Sequence, residues 1–563
     1  MRNRALSAIV VSMFVFALVM AGCSKGNEKG NASDSGSVQP SSPSSSASSS
    51  SGNPDSTADQ KLDLTMVMTD SGLTYPEGVD PSNNEFINIV KDYANVNLKL
   101  TVNKNSETST KQQLLLASNK LPDILHTSVV DPVNEAASKG AFIDLKKFYD
   151  NSPEIQKWIT PEMMDMASYN GHYYRLPMAA GKDLPQGGGN YVRMDLLDKF
   201  NGGKFPDTVE GYVEVLRKIK AANPDAIPLS AWADPQSGKI FQYGQGFFQW
   251  YGARPNEFRV QDGQVLSTFV LPEYRAAVEL YRQLYKEGIL DKDFATNDWT
   301  AWFSHLDKDT LLVNDTADQL LPLAAYHKAS KGTATDTSFR SRIAFAPPLA
   351  SYPSVVKDPK YTYFPKQSPI IWHGMFISSS SKHPERAWKV LEGFASDQLN
   401  EALFWGKEGS EYVVKDGKRI PDAKKLQDPN RYWSVQLSIV RGFLAGQESK
   451  EAQQVQVLGQ EDFDLSKGSL KYAADMAEEA GVNLFAVFPY TTLDEVKLKL
   501  TESDIFLSGA TVEAITGKIS MDQFDKKVEE YKKKYGFIAE AYTKYMNEHK
   551  AQLEKWGVKS VNW

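Results

Sequence analysis

Leu62-Asp63-Leu64-Thr65-Met66-Val67-Met68-Thr69-Asp70-Ser71 places Leu62, Leu64, Met66 and Met68 at every second position. Such alternation marks a strand with one face buried. Downstream, Ser82-Asn83-Asn84-Glu85 reads as a capping box, and Phe86, Ile89, Val90 and Tyr93 share one face of the helix it opens. Val96, Leu98, Leu100 and Val102 alternate again. A helix around Leu114 to Ala117 follows, then Leu121-Pro122-Asp123-Ile124-Leu125 as a third short strand. Strand–helix–strand–helix–strand at this spacing predicts a parallel α/β sheet. Ligands of such sheets sit beyond the carboxyl ends of the strands. Those ends are Thr69-Asp70-Ser71 and His126-Thr127-Ser128, which makes Asp70 and Thr127 candidate ligand residues. The plainer alternative is that both are ordinary turn residues.

Ahead of this sheet, Ser24 to about Gln60 is Ser, Gly, Asn, Pro and Asp with almost nothing apolar. A segment of that kind cannot offset its ordering entropy by burial, so it reads as a disordered tether. With about 36 flexible residues its root-mean-square span is on the order of 30–35 Å. Earlier still come Arg2 and Arg4, then an uncharged run from Ala5 to Gly22 that ends in Met20-Ala21-Gly22-Cys23. A basic start, an apolar middle and small residues before a cut site make a secretory signal. Length alone also admits an uncleaved membrane helix. The polar Ser24-Lys25-Gly26-Asn27 that follows argues against it. The run resembles the lipobox of bacterial lipoproteins, which implies that Cys23, the single cysteine of the chain, carries lipid.

Without Arg2 and Arg4 the 63 Lys and Arg become 61, against 70 Asp and Glu, a net charge of −9. An acidic surface argues against nucleic acid and against a basic face on the membrane. With no second cysteine there is no internal disulfide, so core burial holds the folded part together. Roughly 500 folded residues exceed what one core serves, and two lobes are expected. The pattern restarts beyond Pro185-Gln186-Gly187-Gly188-Gly189, with helices predicted over 207–221 and 272–287. A strand follows from Pro369 to Ile377, then a helix whose first turn holds Pro384 and whose buried face is Trp388, Leu391 and Phe394. Ser520-Met521-Asp522-Gln523 caps a last helix, with Phe524, Val528, Tyr531 and Tyr535 on its core face.

Several stretches, taken together and in order, resemble the extracellular solute-binding lipoproteins of ABC importers, the family that includes maltose-binding protein. They are Leu121-Pro122-Asp123-Ile124, Gly140-Ala141-Phe142-Ile143-Asp144-Leu145 and Gly171-His172-Tyr173-Tyr174-Arg175-Leu176-Pro177. Tyr191-Val192-Arg193-Met194-Asp195-Leu196-Leu197 and Met375-Phe376-Ile377 leading to Lys382-His383-Pro384-Glu385-Arg386-Ala387 come next, then Gly406-Lys407-Glu408-Gly409 with Glu411-Tyr412. The resemblance implies a type II periplasmic-binding-protein-like α/β fold, two lobes joined by crossing hinge strands with ligand between them. Under that reading the chain divides into a signal peptide (1–22), a tether (23–59), a first lobe (60–185 and 367–440) and a second lobe (186–366 and 441–563). It also implies a monomer, anchored by lipid alone on the outer face of the cytoplasmic membrane, with an oligosaccharide and ABC permease subunits as partners and no nucleic acid.

Signals for an enzyme are absent from the sequence. The histidines, at 126, 172, 305, 327, 373, 383 and 549, include no zinc-binding His-x-x-x-His pair. There is no Gly-x-Ser-x-Gly elbow and no phosphate-binding loop. Ala222-Asn223-Pro224-Asp225-Ala226-Ile227-Pro228-Leu229, where some relatives carry a calcium loop, lacks alternating oxygen ligands. Asp291-Lys292-Asp293 lacks the central glycine of such a loop. No metal and no cofactor are expected. Seventy carboxylates leave room for an accidental glycosidase pair, so a hydrolase or lyase stays open.

A sugar ring offers hydroxyls on its rim and C–H on its face, so its partners are aromatic plates and planar polar side chains. The candidates are Trp232, Trp250, Tyr251, Trp299, Trp302, Trp372, Trp405 and Arg193. For each tryptophan the competing reading is core packing, which is the reading for Trp158, Trp388, Trp433, Trp556 and Trp563. Peptide or another solute as ligand, a carbohydrate-active enzyme, and a surface lipoprotein that relays nutrient status stay open beside the oligosaccharide importer.

Overall fold

The computed structural model describes residues 61–70, 73, 75–180, 187–234, 238–306, 308–317, 342–366, 368–481, 493, 496, 499–556 and 558. The signal, Cys23 and the tether lie outside the described residues. The strands of the two main sheets are β1 (Leu62–Thr69), β2 (Val96–Asn103), β3 (Ile124–Thr127), β4 (Leu176–Ala179), β5 (Gly188–Arg193), β6 (Leu312–Thr316), β7 (Ile343–Phe345) and β8 (Ile370–Ile377).

In the first lobe the strands lie in the order β2-β1-β3-β8-β4. β1 pairs in parallel with β2 from Leu62↔Val96 to Thr69↔Asn103, and with β3 at Met66↔Ile124. The alternating sets thus face one way: Leu64, Met66 and Met68 are buried with Val96, Leu98 and Leu100. The helix after β1 does not use the expected capping box. Asn84 is the cap, its side chain accepting from Phe86 and Ile87, while Ser82 exchanges hydrogen bonds with the Leu100 backbone. Asparagine at the cap satisfies the orphan amides from one position nearer the helix.

β8 is the strand that makes the lobes interdependent. It enters from the second lobe and runs antiparallel between β3 and β4, with Gly374 beside Thr127 on one side and Pro177 on the other. The first core accordingly draws on Leu64 to Ala179 and again on Met375 to Ala445. A later segment of the same core lies against β4, where the Ala179 N–H donates to the Val440 carbonyl. Gly442, at φ +54°, sits so near the Ala179 carbonyl that a Cβ would collide with it.

The second lobe is built on a short antiparallel sheet, β6-β5-β7. Its core gathers Val192 to Leu349 and Val496 to Val558. A smaller cluster seats Leu458, Phe463 and Ala473 on Tyr191 and Phe345. The last long helix, Met521–Glu548, has the expected capping box at Ser520 and buries Phe524, Tyr531 and Tyr535. Among the described residues no helix is long and apolar enough to cross a membrane.

Candidate functional site

Two groups of side chains lie where the chain passes between lobes. In the second lobe Thr316 pairs with Gly188 at the start of β5, and the Asn314 N–H two residues away donates to the Tyr243 carbonyl. Tyr243 is therefore held against the central sheet of its lobe. Trp232 stacks on it at 6.4 Å between ring centres, 25° from parallel, and Trp302 lies against it at 4.7 Å. Trp232 is half-buried, and its Nε1–H has no hydrogen-bond partner. A buried carboxylate braces this stack from behind. Asp291 accepts from Ser230 Oγ (2.7 Å), Asn297 Nδ2 (2.8 Å) and the His305 ring (2.8 Å). Burial would raise the Asp291 pKa, but those donors, the Asp293 N–H and the His305 charge bring it below the usual carboxylate range. Ser230 precedes Trp232 by two residues and His305 ends the helix Trp299–His305, so one carboxylate fixes both tryptophan-bearing elements.

In the first lobe the carboxyl ends of β1 and β3 come together as expected. Asp70 accepts the Asn105 N–H, Thr69 receives the Thr108 hydroxyl, and Ser128 donates to Asn105. Thr127 is buried; its hydroxyl donates to Gln112 and accepts from the Val129 N–H. These groups tie strand ends to loops. Next to them His126 and His373 pack ring on ring, and in the same lobe Tyr75 lies tilted against Trp433, 4.4 Å between ring centres. The Tyr75 hydroxyl is buried with no hydrogen-bond partner, and burial and then Asp70 raise its pKa.

The remaining candidates are placed elsewhere. Trp250 and Tyr251 belong to the second core, Trp250 lying 4.4 Å from the Tyr212 ring, because Gly246–Trp250 is a short helix buried at every position. Arg193 is buried and holds Asp195 through two hydrogen bonds at the start of a helix. Trp405 is sealed beneath the Arg419 guanidinium at 4.0 Å and edges onto Tyr412. Trp299 and Trp372 lie on described backbone, but their side chains lie outside the described residues. Trp372 falls in the register shift of β8 between Ile371 and Gly374. Tyr243, Tyr75 and Arg175 were not singled out from the sequence as ligand residues, and His126 was read only as part of a strand end. Arg175 carried a usable signal, a charge placed directly before the apolar Leu176-Pro177-Met178-Ala179. In the turn Ala222–Leu229, Asn223 donates to Asp309 and accepts the Asp225 N–H. Among the described residues no three His, Cys, Asp or Glu converge as a metal site would require.

Residues 80–401 match the family model described as bacterial extracellular solute-binding protein. The chain is 25% identical over 225 residues to lipoprotein LipO of Bacillus subtilis, covering 38% of this chain and 42% of that one. It is 26% identical over 254 residues to the fructooligosaccharide ABC transporter substrate-binding protein FusA of Streptococcus pneumoniae, covering 40% and 45%. Both matches therefore span less than half of each relative. In fold the chain is similar to an HMO-binding, ABC-transporter-associated solute-binding protein of Bifidobacterium longum infantis, with a TM-score of 0.66 over 87% of this chain and 99% of that one at 17% identity. The matched stretch is more than half of the sequence and contains β2 to β8; the chain belongs to the bacterial extracellular solute-binding protein family.

Proposed function

We propose that this protein is the lipid-anchored substrate-binding subunit of an ABC importer, which takes an oligosaccharide between its lobes and delivers it unaltered to a permease. The observation that carries the reading is the Trp232–Tyr243–Trp302 aromatic group beside the central sheet of the second lobe. Trp232 offers a half-buried ring stacked on Tyr243, the kind of aromatic plate on which the C–H face of a sugar ring packs. The names of FusA and of the Bifidobacterium protein support a saccharide as the class of ligand. The lobes close about the hinge strands, and closure follows ligand only if the closed form binds it more tightly. The protein works as a monomer, outside the cytoplasmic membrane, tethered through Cys23, with lobe boundaries near residues 186, 367 and 441.

Calorimetry and tryptophan fluorescence with a panel of oligosaccharides test the reading. Saturable binding with intact ligand recovered afterwards is expected. Absence of binding to every saccharide would overturn the carbohydrate reading, and cleaved ligand would overturn transport in favour of hydrolysis. Cys23→Ser should release the protein from cells into the medium; retention at the membrane would remove the lipid anchor.

A further inference from the structure

Arg175 stands one residue before β4, and its stem runs along the sheet instead of away from it. Cδ and Cγ lie against Gly374 so closely that a Cβ there would be 2.5 and 2.6 Å from them. Gly374 pairs with Thr127, the last residue of β3. The stem thus carries the guanidinium from mid-sheet to the carboxyl end of β3, the edge at which α/β lobes hold ligands. The charge it meets there is Asp131, first residue of the helix Asp131–Ser138 that follows β3.

Among the described residues the guanidinium has no hydrogen-bonded partner at that edge. Arg175 is 8% exposed, its Nε is buried and unbonded, and Asp131 acts on it through charge without a hydrogen bond. The other buried arginines among the described residues differ in this respect. Arg193 holds Asp195, Arg254 holds Glu257 and Arg441 holds Asp397. Burial pushes the Arg175 pKa down to about 10, which leaves it charged at neutral pH. A buried cation without a fork-matched acceptor is costly to the fold, and such groups are found where a ligand completes them.

We propose that Arg175 heads a carboxylate subsite, so that the saccharide taken up is an acidic one. A neutral hydroxyl would accept one hydrogen bond and leave the charge uncompensated. A carboxylate presents two oxygens to the planar fork and neutralises it. The inference rests on the carbohydrate reading above and narrows it. Gly374 belongs to the same device, because any side chain there would displace the arginine stem.

Calorimetry on the full-length protein tests it with matched pairs: an oligogalacturonide and a glucuronate-bearing xylo-oligosaccharide, each against its carboxyl-reduced counterpart. Binding of at least one acidic member is expected, with about a 10- to 100-fold loss on carboxyl reduction. Arg175→Met should abolish that difference, Arg175→Lys should keep part of it, and Gly374→Ala should weaken the acidic ligand selectively. Because the cation is unpaired in the free protein, Arg175→Met should melt no lower than wild type. A lower melting temperature with unchanged ligand preference would make Arg175 structural and overturn the subsite. Equal binding of acidic and reduced ligands, unaffected by Arg175→Met, would overturn the subsite and leave the carbohydrate reading intact. Binding of no saccharide at all would overturn both.

Discussion

His126 of β3 and His373 of β8 lie ring on ring, 5.0 Å apart and 15° from parallel, joined by a 3.1 Å hydrogen bond between His373 Nδ1 and His126 Nε2. Both are buried, and His126 Nδ1 is unpartnered, so the lobe and the strand that crosses into it share a contact that tolerates only neutral rings. Burial pushes the His373 pKa down to about 4, and burial and then the His373 charge push His126 well below its usual value.

Stability should therefore depend on pH in a defined window. Unfolded histidine titrates near 6.5, so below that pH the unfolded chain binds protons that the folded chain refuses. The contribution is fully present above about pH 6.5 and is lost as pH falls toward 4, by about 3 kcal/mol for His373 alone. Urea melts at pH 7.5 and pH 4 should show this drop, and His373→Gln should flatten it.

Trp232, Trp302 and Trp250 should separate binding from folding. Trp250→Ala and Trp302→Ala remove buried rings and should each cost about 3–5 kcal/mol. Trp232→Ala removes a half-buried ring and should lower saccharide affinity with a smaller stability change. Parallel calorimetry and thermal melts on the three variants make the comparison.

Removing the Asp291 carboxylate strands Ser230, Asn297 and His305 without their acceptor. Asp291→Ala should cost about 3 kcal/mol and weaken ligand binding, although the carboxylate itself need not touch the sugar. Asp291→Asn keeps one acceptor oxygen and should recover part of both, as read by the same pair of measurements.

Gly442 is confined by its left-handed φ and by the Ala179 carbonyl. Gly442→Ala should destabilise the protein by about 2 kcal/mol or more, with the strain placed where residues 440–442 lie against β4. Hydrogen exchange should show the loss of protection first at the Ala179 N–H, whose acceptor is Val440.

Alternation over Leu62–Met68 and Val96–Val102 was enough to read two strands of one parallel sheet, because period-two burial is a property of neighbouring residues. The same locality made the helices at Val209–Ala222, Pro272–Lys286 and Met521–Glu548 legible, with the family stretches ordering them into a binding-protein fold. The Ser82 capping box failed because Ser82 and Asn84 are both competent caps, and the choice depended on where Leu100 of the next strand offered its backbone. Tryptophans divided for a similar reason. Trp232 and Trp250 look alike in sequence, yet the Gly246–Trp250 helix is enclosed on every side and Trp232 lies on a short strand against Tyr243.

What the sequence determined by itself is therefore the acidic composition, the strand and helix periods and the family order, all of which are encoded between near neighbours. Which polar groups end without a partner depended instead on contacts between residues far apart in the chain. Arg175 and Arg193 are both buried arginines at the start or end of a strand, and burial alone does not tell them apart. Arg193 has a carboxylate two residues away, whereas the surroundings of Arg175 come from β3, β8 and a helix brought together across some 200 residues by the return crossing. Electrostatic satisfaction is a property of that assembled neighbourhood, and it appears only once the distant strands are in register.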